Sequence, residues 1–190
     1  CTKYDGLKKY FGYSDLNPLW VADMDFKTPS FINDAIISAA QNSLYGYSIV
    51  SNETIDSIVK WQKNQHSWEI LPNEIFMING VVPAYSACIE AFSDEGDEVI
   101  VQTPVYPPIF NCVKANNRKI VVNELINTNG YYTMDFDDLE KKITPKTKIL
   151  ALCSPHNPVG RVWSKEELER LADICIKHNI VIVSDEIHSD

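Results

Sequence analysis

Residues 148–160 read Lys-Ile-Leu-Ala-Leu-Cys-Ser-Pro-His-Asn-Pro-Val-Gly. From Ile149 to Cys153 every residue is apolar; from Ser154 on come two prolines, an asparagine and a glycine. An apolar run without alternation predicts a strand covered on both faces, because a strand with one wet face alternates apolar with polar. The Pro- and Asn-rich continuation predicts a turn. Beyond it, Ser164 and Glu167 form a capping box, and Leu168, Leu171, Ala172 and Cys175 recur at helical spacing. This predicts a helix from 164 to about 178. Residues 180–184, Ile-Val-Ile-Val-Ser, predict a second covered strand. Strand, helix and strand in succession form a βαβ unit, with parallel strands and a right-handed connection.

The same texture extends back to residue 74. Strands are predicted at 75–78, 98–102 and 119–125. Helices are predicted at 81–92, after the prolines at 104, 107 and 108 to about 115, and at 136–143. Residues 1–73 read differently, as irregular segments and helices. One helix starts at Thr28-Pro29, with Phe31, Ile32, Ala35, Ile36, Ala39 and Ala40 at helical spacing. A second runs from Asn52 to about His66, carrying Ile55, Ile58 and Val59. The expected fold is α/β: a three-layer αβα sandwich with a mostly parallel sheet at 74–190, preceded by a helical N-terminal segment at 1–73.

Composition narrows the function classes. The 190 residues carry 17 Lys+Arg against 26 Asp+Glu, a net charge of −9, and contain no basic run. That argues against nucleic acid and anionic membrane as partners. No apolar stretch reaches the roughly 18 residues that cross a bilayer. The five cysteines are odd in number and form no CxxC pair. Cys88, Cys153 and Cys175 lie in apolar runs and read as buried hydrophobes. Neither a zinc site nor a disulfide framework is expected, and the default is a reduced, cytoplasmic protein. The sequence opens at Cys1 rather than Met and closes at Asp190 just after an apolar run, so a piece of a longer chain is expected.

Ligands of open α/β sheets bind beyond the carboxyl ends of the strands. Four segments occupy that rim: residues 79–84 (Asn-Gly-Val-Val-Pro-Ala), 103–106 (Thr-Pro-Val-Tyr), 154–160 and 184–188 (Ser-Asp-Glu-Ile-His). Gly80 turns into a helix whose first backbone N–H groups are free to bind an anion. The turn is neither GxGxxG nor a P-loop, so the nucleotide motifs fail. Taken singly the residues have plain readings. Tyr106 is an aromatic in a Pro-rich turn, Asn157 a turn former, Asp185 a helix cap. His156 and His188 are too isolated to hold a metal. Together, all at strand ends, they point to a site.

These segments resemble a known family. Residues 154–160 resemble the S-P-x-N-P-x-G turn of fold type I, pyridoxal-phosphate (PLP) dependent aminotransferases of class I/II. Ser184-Asp185-Glu186 resembles their cofactor-aspartate strand. Residues 20–26 (Trp-Val-Ala-Asp-Met-Asp-Phe), Tyr45-Gly46-Tyr47-Ser48, residues 103–106 and residues 184–188 resemble the MalY/PatB-type cystathionine β-lyase subgroup. The resemblance implies that backbone N–H groups around Gly80, Val81 and Val82 hold the PLP phosphate. It implies that Tyr106 stacks on the pyridine ring, that Asn157 bonds the ring's 3′ oxygen and that Asp185 pairs with the pyridine nitrogen. Tyr47 would reach the phosphate of a neighbouring subunit, implying a homodimer with shared sites. Ala22 and Asn157 would contact substrate. His188 stands where many aminotransferases of this fold carry a Tyr, near the cofactor. By the same resemblance, residues 1–73 supply small-domain and dimer contacts. The Schiff-base lysine and the substrate-binding arginine fall beyond Asp190, so this chain alone is expected to hold PLP weakly and to be inactive.

The implied activity of the intact enzyme is PLP-dependent C–S β-lysis of cystathionine, cystine or cysteine to thiol, pyruvate and ammonia. An aminotransferase is the nearest alternative, since it shares the first steps. A truncated, inert or partner-binding domain is the alternative of another class.

Overall fold

The covered strands expected from the sequence lie side by side in a four-stranded sheet in the computed structural model, which describes residues 1–189. The chain divides into two units, Cys1–Glu69 and Ile70–Asp190.

In the first unit, α1 (Thr2–Asp5) and α2 (Leu7–Phe11) are followed by α3 (Ser30–Gln41) and α4 (Asn52–His66). Ser51 accepts a hydrogen bond from Thr54 N–H and caps α4 at the expected start. Pro29 stands at the N-cap of α3, one position before its expected place. Two short helices that periodicity did not reveal fasten the segment 20–25. Lys3, buried despite its charge, donates through Nζ to Asp23 O at 2.7 Å and to Asp25 Oδ2 at 2.8 Å. Tyr4 OH donates to Asp25 Oδ1, and Trp20 Nε1 donates to Lys3 O. The rings of Tyr10 and Phe11 pack on Trp20 at about 5 Å between centroids.

The second unit opens with a 3₁₀ turn, Pro72–Glu74, and α5 (Val81–Phe92). It continues with β1 (Glu98–Thr103), α6 (Pro108–Ala115), β2 (Lys119–Glu124), the short strands β3 (Ile126–Thr128) and β4 (Tyr131–Thr133), α7 (Phe136–Lys142), β5 (Thr147–Cys153), α8 (Lys165–Lys177) and β6 (Val181–Asp185). The sheet order is β2-β1-β5-β6, parallel throughout. Alternate residues of each strand serve different layers. Val99 and Val101 of β1, with Ile149, Ala151 and Cys153 of β5, pack under α5 and α6. Ile100, Leu150 and Leu152 pack on the opposite face, with Leu139 of α7 and with Leu171, Ile174 and Cys175 of α8. Leu150 and Ile100 are fully buried, and each such side chain contributes about 1.5–3 kcal/mol of burial. This is the expected three-layer αβα arrangement.

The expected strand at 75–78 is corrected. The segment takes no regular structure and pairs with no strand among the described residues, and Phe76, Met77 and Ile78 are exposed. An apolar run becomes a strand only beside a hydrogen-bonding neighbour, and here it has none. The sequence reading also passed over the β3–β4 hairpin, whose turn carries Asn129 at φ 54° and Gly130 at φ 89°. Among the cysteines, Cys112, Cys153 and Cys175 are buried, Cys88 is half-buried, and all five are free thiols. Among the described residues no helix is long and apolar enough to cross a membrane.

Candidate active site

At the start of α5 the backbone leaves two donors exposed. Gly80 sits at φ +113°, ψ 162°, a conformation open essentially to glycine alone, and it is the N-cap. Its carbonyl accepts the N–H of Ala84. Pro83 has no N–H to offer. That leaves the N–H groups of Val81 and Val82, which make no hydrogen bond among the described residues, at the positive end of a twelve-residue helix.

Val81 and Val82 line a pocket with Tyr85, Tyr106, Pro108, Ile109, Cys112 and Asp185. Tyr106 and Asp185 come from strand ends, and the other walls from helices α5 and α6. Tyr106 belongs to the loop after β1, and its carbonyl accepts the N–H of Ile109 as α6 begins. Asp185 is the last residue of β6 and is 7% exposed. Its Oδ1 accepts from Ile187 N–H at 3.2 Å, while Oδ2 has no hydrogen-bond partner among the described residues. Tyr85 joins α5 to β6, donating its hydroxyl to Val183 O at 3.1 Å. Burial first, and the carboxylate of Asp185 second, push the Tyr85 phenol well above its ordinary value, so it stays protonated and donating. Burial also raises the Cys112 thiol, making it an apolar wall rather than a nucleophile. The pocket therefore presents two N–H donors, one carboxylate with a free oxygen, one half-exposed phenol ring and otherwise apolar walls.

Of the residues expected at the site, Val81, Val82, Tyr106 and Asp185 meet in this pocket, with Gly80 at the turn behind it. Asn157 does not line it. It is half-buried in the turn after β5, its N–H directed to the Cys153 sulfur at 3.5 Å. His188 does not line it either; it is exposed in the turn after β6, where Ser189 N–H bonds Glu186 O. Ala22 and Tyr47 are exposed residues of the first unit. Sequence reasoning missed Tyr85, Pro108, Ile109 and Cys112. All four lie in helices α5 and α6, where an apolar pattern fits core and pocket wall alike, and only their closeness to the starts of those helices marks them as pocket wall.

Residues 19–190 match the family model for aminotransferase class I and II. The chain belongs to the aminotransferase class I and II family. Over 190 residues, all of this chain and 49% of the relative, it is 42% identical to the cystathionine beta-lyase PatB of Bacillus subtilis. It is 34% identical to the protein MalY of Escherichia coli, again over all of this chain and 49% of the relative. Among solved structures, cystalysin from Treponema denticola, which contains a pyridoxal 5′-phosphate cofactor, superposes with a TM-score of 0.87. It shares 39% identity over 98% of this chain and 48% of that one. The chain thus spans about half the length of the relatives it matches.

Proposed function

We propose that this chain forms the cofactor-binding half of a PLP-dependent C–S β-lyase that acts on cystathionine, cystine or cysteine. The pocket's donor set supports the cofactor. Two free N–H groups at a helix N-terminus suit a phosphate. The free oxygen of Asp185 among apolar walls suits a protonated ring nitrogen, which an ionised carboxylate in such surroundings stabilises. When bound, PLP supplies an electron sink that makes the substrate's α proton removable.

In this reading the Val81 and Val82 N–H groups hold the phosphate, and Asp185 keeps the ring nitrogen charged. Tyr106 lies on the ring face. Asn157 bonds the ring's 3′ oxygen, and His188 borders the cofactor from the turn after β6. The Ala22 backbone N–H takes the substrate carboxylate, and Asn157 borders the substrate as well. Tyr47 reaches the phosphate of a second subunit, which makes the enzyme a homodimer with shared sites. We assign it to the cytoplasm, as a protein with reduced cysteines. The activity belongs to the longer polypeptide that completes the length of the relatives.

The observation that carries the reading is the pairing of the Asp185 carboxylate with the open α5 terminus in one pocket. Its test is the release of pyruvate and thiol from cystathionine by the full-length protein with PLP and no keto acid. A strict keto-acid requirement replaces the lyase with an aminotransferase.

A further inference from the structure

His156 is 1% exposed, although it stands in a turn at the end of a strand. Its Nε2 lies 2.8 Å from Pro104 O and its Nδ1 lies 3.2 Å from Cys153 O. The ring packs edge-on against Trp163 at 5.4 Å, and Trp163 Nε1 donates to the same Cys153 carbonyl at 2.9 Å. The His156 backbone is held as well, its N–H donating to Arg161 O and its carbonyl accepting from Gly160 N–H. One side chain thus spans two loops 52 residues apart in sequence. Pro104 lies two residues before Tyr106, and His156 directly precedes Asn157.

We propose that His156 is a positioning residue that sets the Tyr106 loop and the Asn157 turn in register by donating Nε2–H to the carbonyl of Pro104. Both nitrogens face carbonyl oxygens, yet a neutral imidazole carries one N–H only. Burial lowers the basicity of the ring, while the two carbonyls work against that shift. On the neutral ring we place the proton at Nε2, the nitrogen with the shorter contact. Cys153 O already has the Trp163 indole as a donor, whereas the bond to Pro104 O joins the loops that follow β1 and β5 beyond the end of the ladder between those strands, whose last pair is Val101 and Ala151. That the two loops flank a cofactor rests on the function proposed above; that His156 ties them together does not.

The test compares His156→Gln with His156→Met, side chains of similar length that differ in the amide donor. Deuterium exchange of the PLP-free protein is read at residues 103–107 and 154–160. Met is expected to raise exchange in both segments at least tenfold, and Gln to stay within about threefold of wild type. PLP affinity, by equilibrium dialysis, is expected to fall at least tenfold in the Met variant and to recover in Gln, with matching visible spectra for wild type and Gln. Unchanged exchange in a folded Met variant, or equal changes in Met and Gln, overturns the proposal. Should the Met variant not fold, nitrogen NMR of wild-type His156 decides. A neutral ring protonated at Nε2 supports the proposal, and a ring protonated at Nδ1 alone overturns it. Absence of PLP binding by wild type counts against the cofactor reading and leaves the exchange result standing as the measure of the loop tie.

Discussion

Replacing Gly80 by Ala separates two contributions that are usually mixed, backbone strain and steric clash. A Cβ built on Gly80 meets nothing closer than Pro83 Cδ at 3.8 Å, an ordinary contact. The substitution is therefore opposed by conformation alone. Holding a non-glycine residue at φ +113°, ψ 162° costs on the order of 1–3 kcal/mol. Stiffening the unfolded chain returns about 0.4–1 kcal/mol of that. At about 2–4 °C per kcal/mol for a chain of this size, Gly80→Ala lowers Tm by a few degrees if the turn keeps its shape. If the turn relaxes to negative φ instead, the Val81 and Val82 N–H groups rotate away, and stability is nearly restored at the expense of the anion. Hydrogen bonds to a charged group are worth about 1.5–3 kcal/mol each, so losing two weakens PLP binding about a hundredfold or more. The assay is differential scanning fluorimetry together with equilibrium dialysis, with PLP compared against pyridoxal, which lacks the phosphate. Either Tm falls, or PLP affinity falls while pyridoxal affinity does not. A variant with wild-type Tm and PLP affinity within twofold refutes both the glycine constraint and the anion site.

Asp185→Ala is expected to reduce PLP affinity at least tenfold with a Tm within a few degrees of wild type, since the carboxylate lies at the edge of the core and serves the pocket. A Tm loss without an affinity loss would make it structural. Tyr85→Phe removes the bond to Val183 O and leaves that carbonyl short of a donor, lowering stability by about 1–3 kcal/mol in urea melts. Asp138 accepts from Lys142 Nζ and from Asn123 Nδ2, and these bonds, the lysine's first, hold its carboxyl below the ordinary range. A lowered folded pKa contributes stability that is present above the unfolded pKa of about 3.9 and is lost as pH falls through the folded pKa. Asp138→Asn is therefore expected to flatten the acid limb of a Tm-against-pH curve below about pH 4; an unchanged limb rules this coupling out.

Where a sequence pattern repeats enough to imply a burial geometry, the fold was legible. The apolar stretches within 98–102, 148–153 and 180–184 became β1, β5 and β6 to within two residues at either end; β1 and β5 are covered on both faces, whereas β6, at the sheet edge, keeps Val181 and Ser184 exposed. The Ser164–Glu167 box became a capping box, with Glu167 also gripping Arg161. The misreading at 75–78 has a different origin. Its apolar residues satisfy every local criterion for a strand, but strand formation is a property of pairs, and the partner is not readable from the run itself. The β3–β4 hairpin failed for the opposite reason: three-residue strands are too short to show a period, and only Asn129-Gly130 signals the turn. At the site, the strand-end rule found Tyr106 and Asp185, while Val81 and Val82 were found through the glycine turn into a helix N-terminus, although the strand expected before that turn is absent. Tyr85 and Cys112 escaped because a residue that walls a pocket from within a helix has the same pattern as one that fills a core. His156 was dismissed as too isolated for a metal, and its burial between two loops depends on contacts 52 residues apart.

The pocket's charges also constrain what can occupy it. The element we assign to anion binding is a helix terminus without a formal charge, and among the lining residues Asp185 carries the one formal charge. The walls between them are Tyr85, Pro108, Ile109 and Cys112. In such surroundings a carboxylate repels a second anion and is itself costly to leave without a partner. A purely anionic ligand is therefore opposed at Asp185, and a purely cationic one finds nothing to gain at Val81 and Val82. The ligand that satisfies both must carry an anionic group and a protonatable nitrogen on one small framework, with a flat face for Tyr106. A phosphorylated pyridine meets those conditions. A dinucleotide fits them less well, because no cationic side chain lines the pocket to meet its second phosphate.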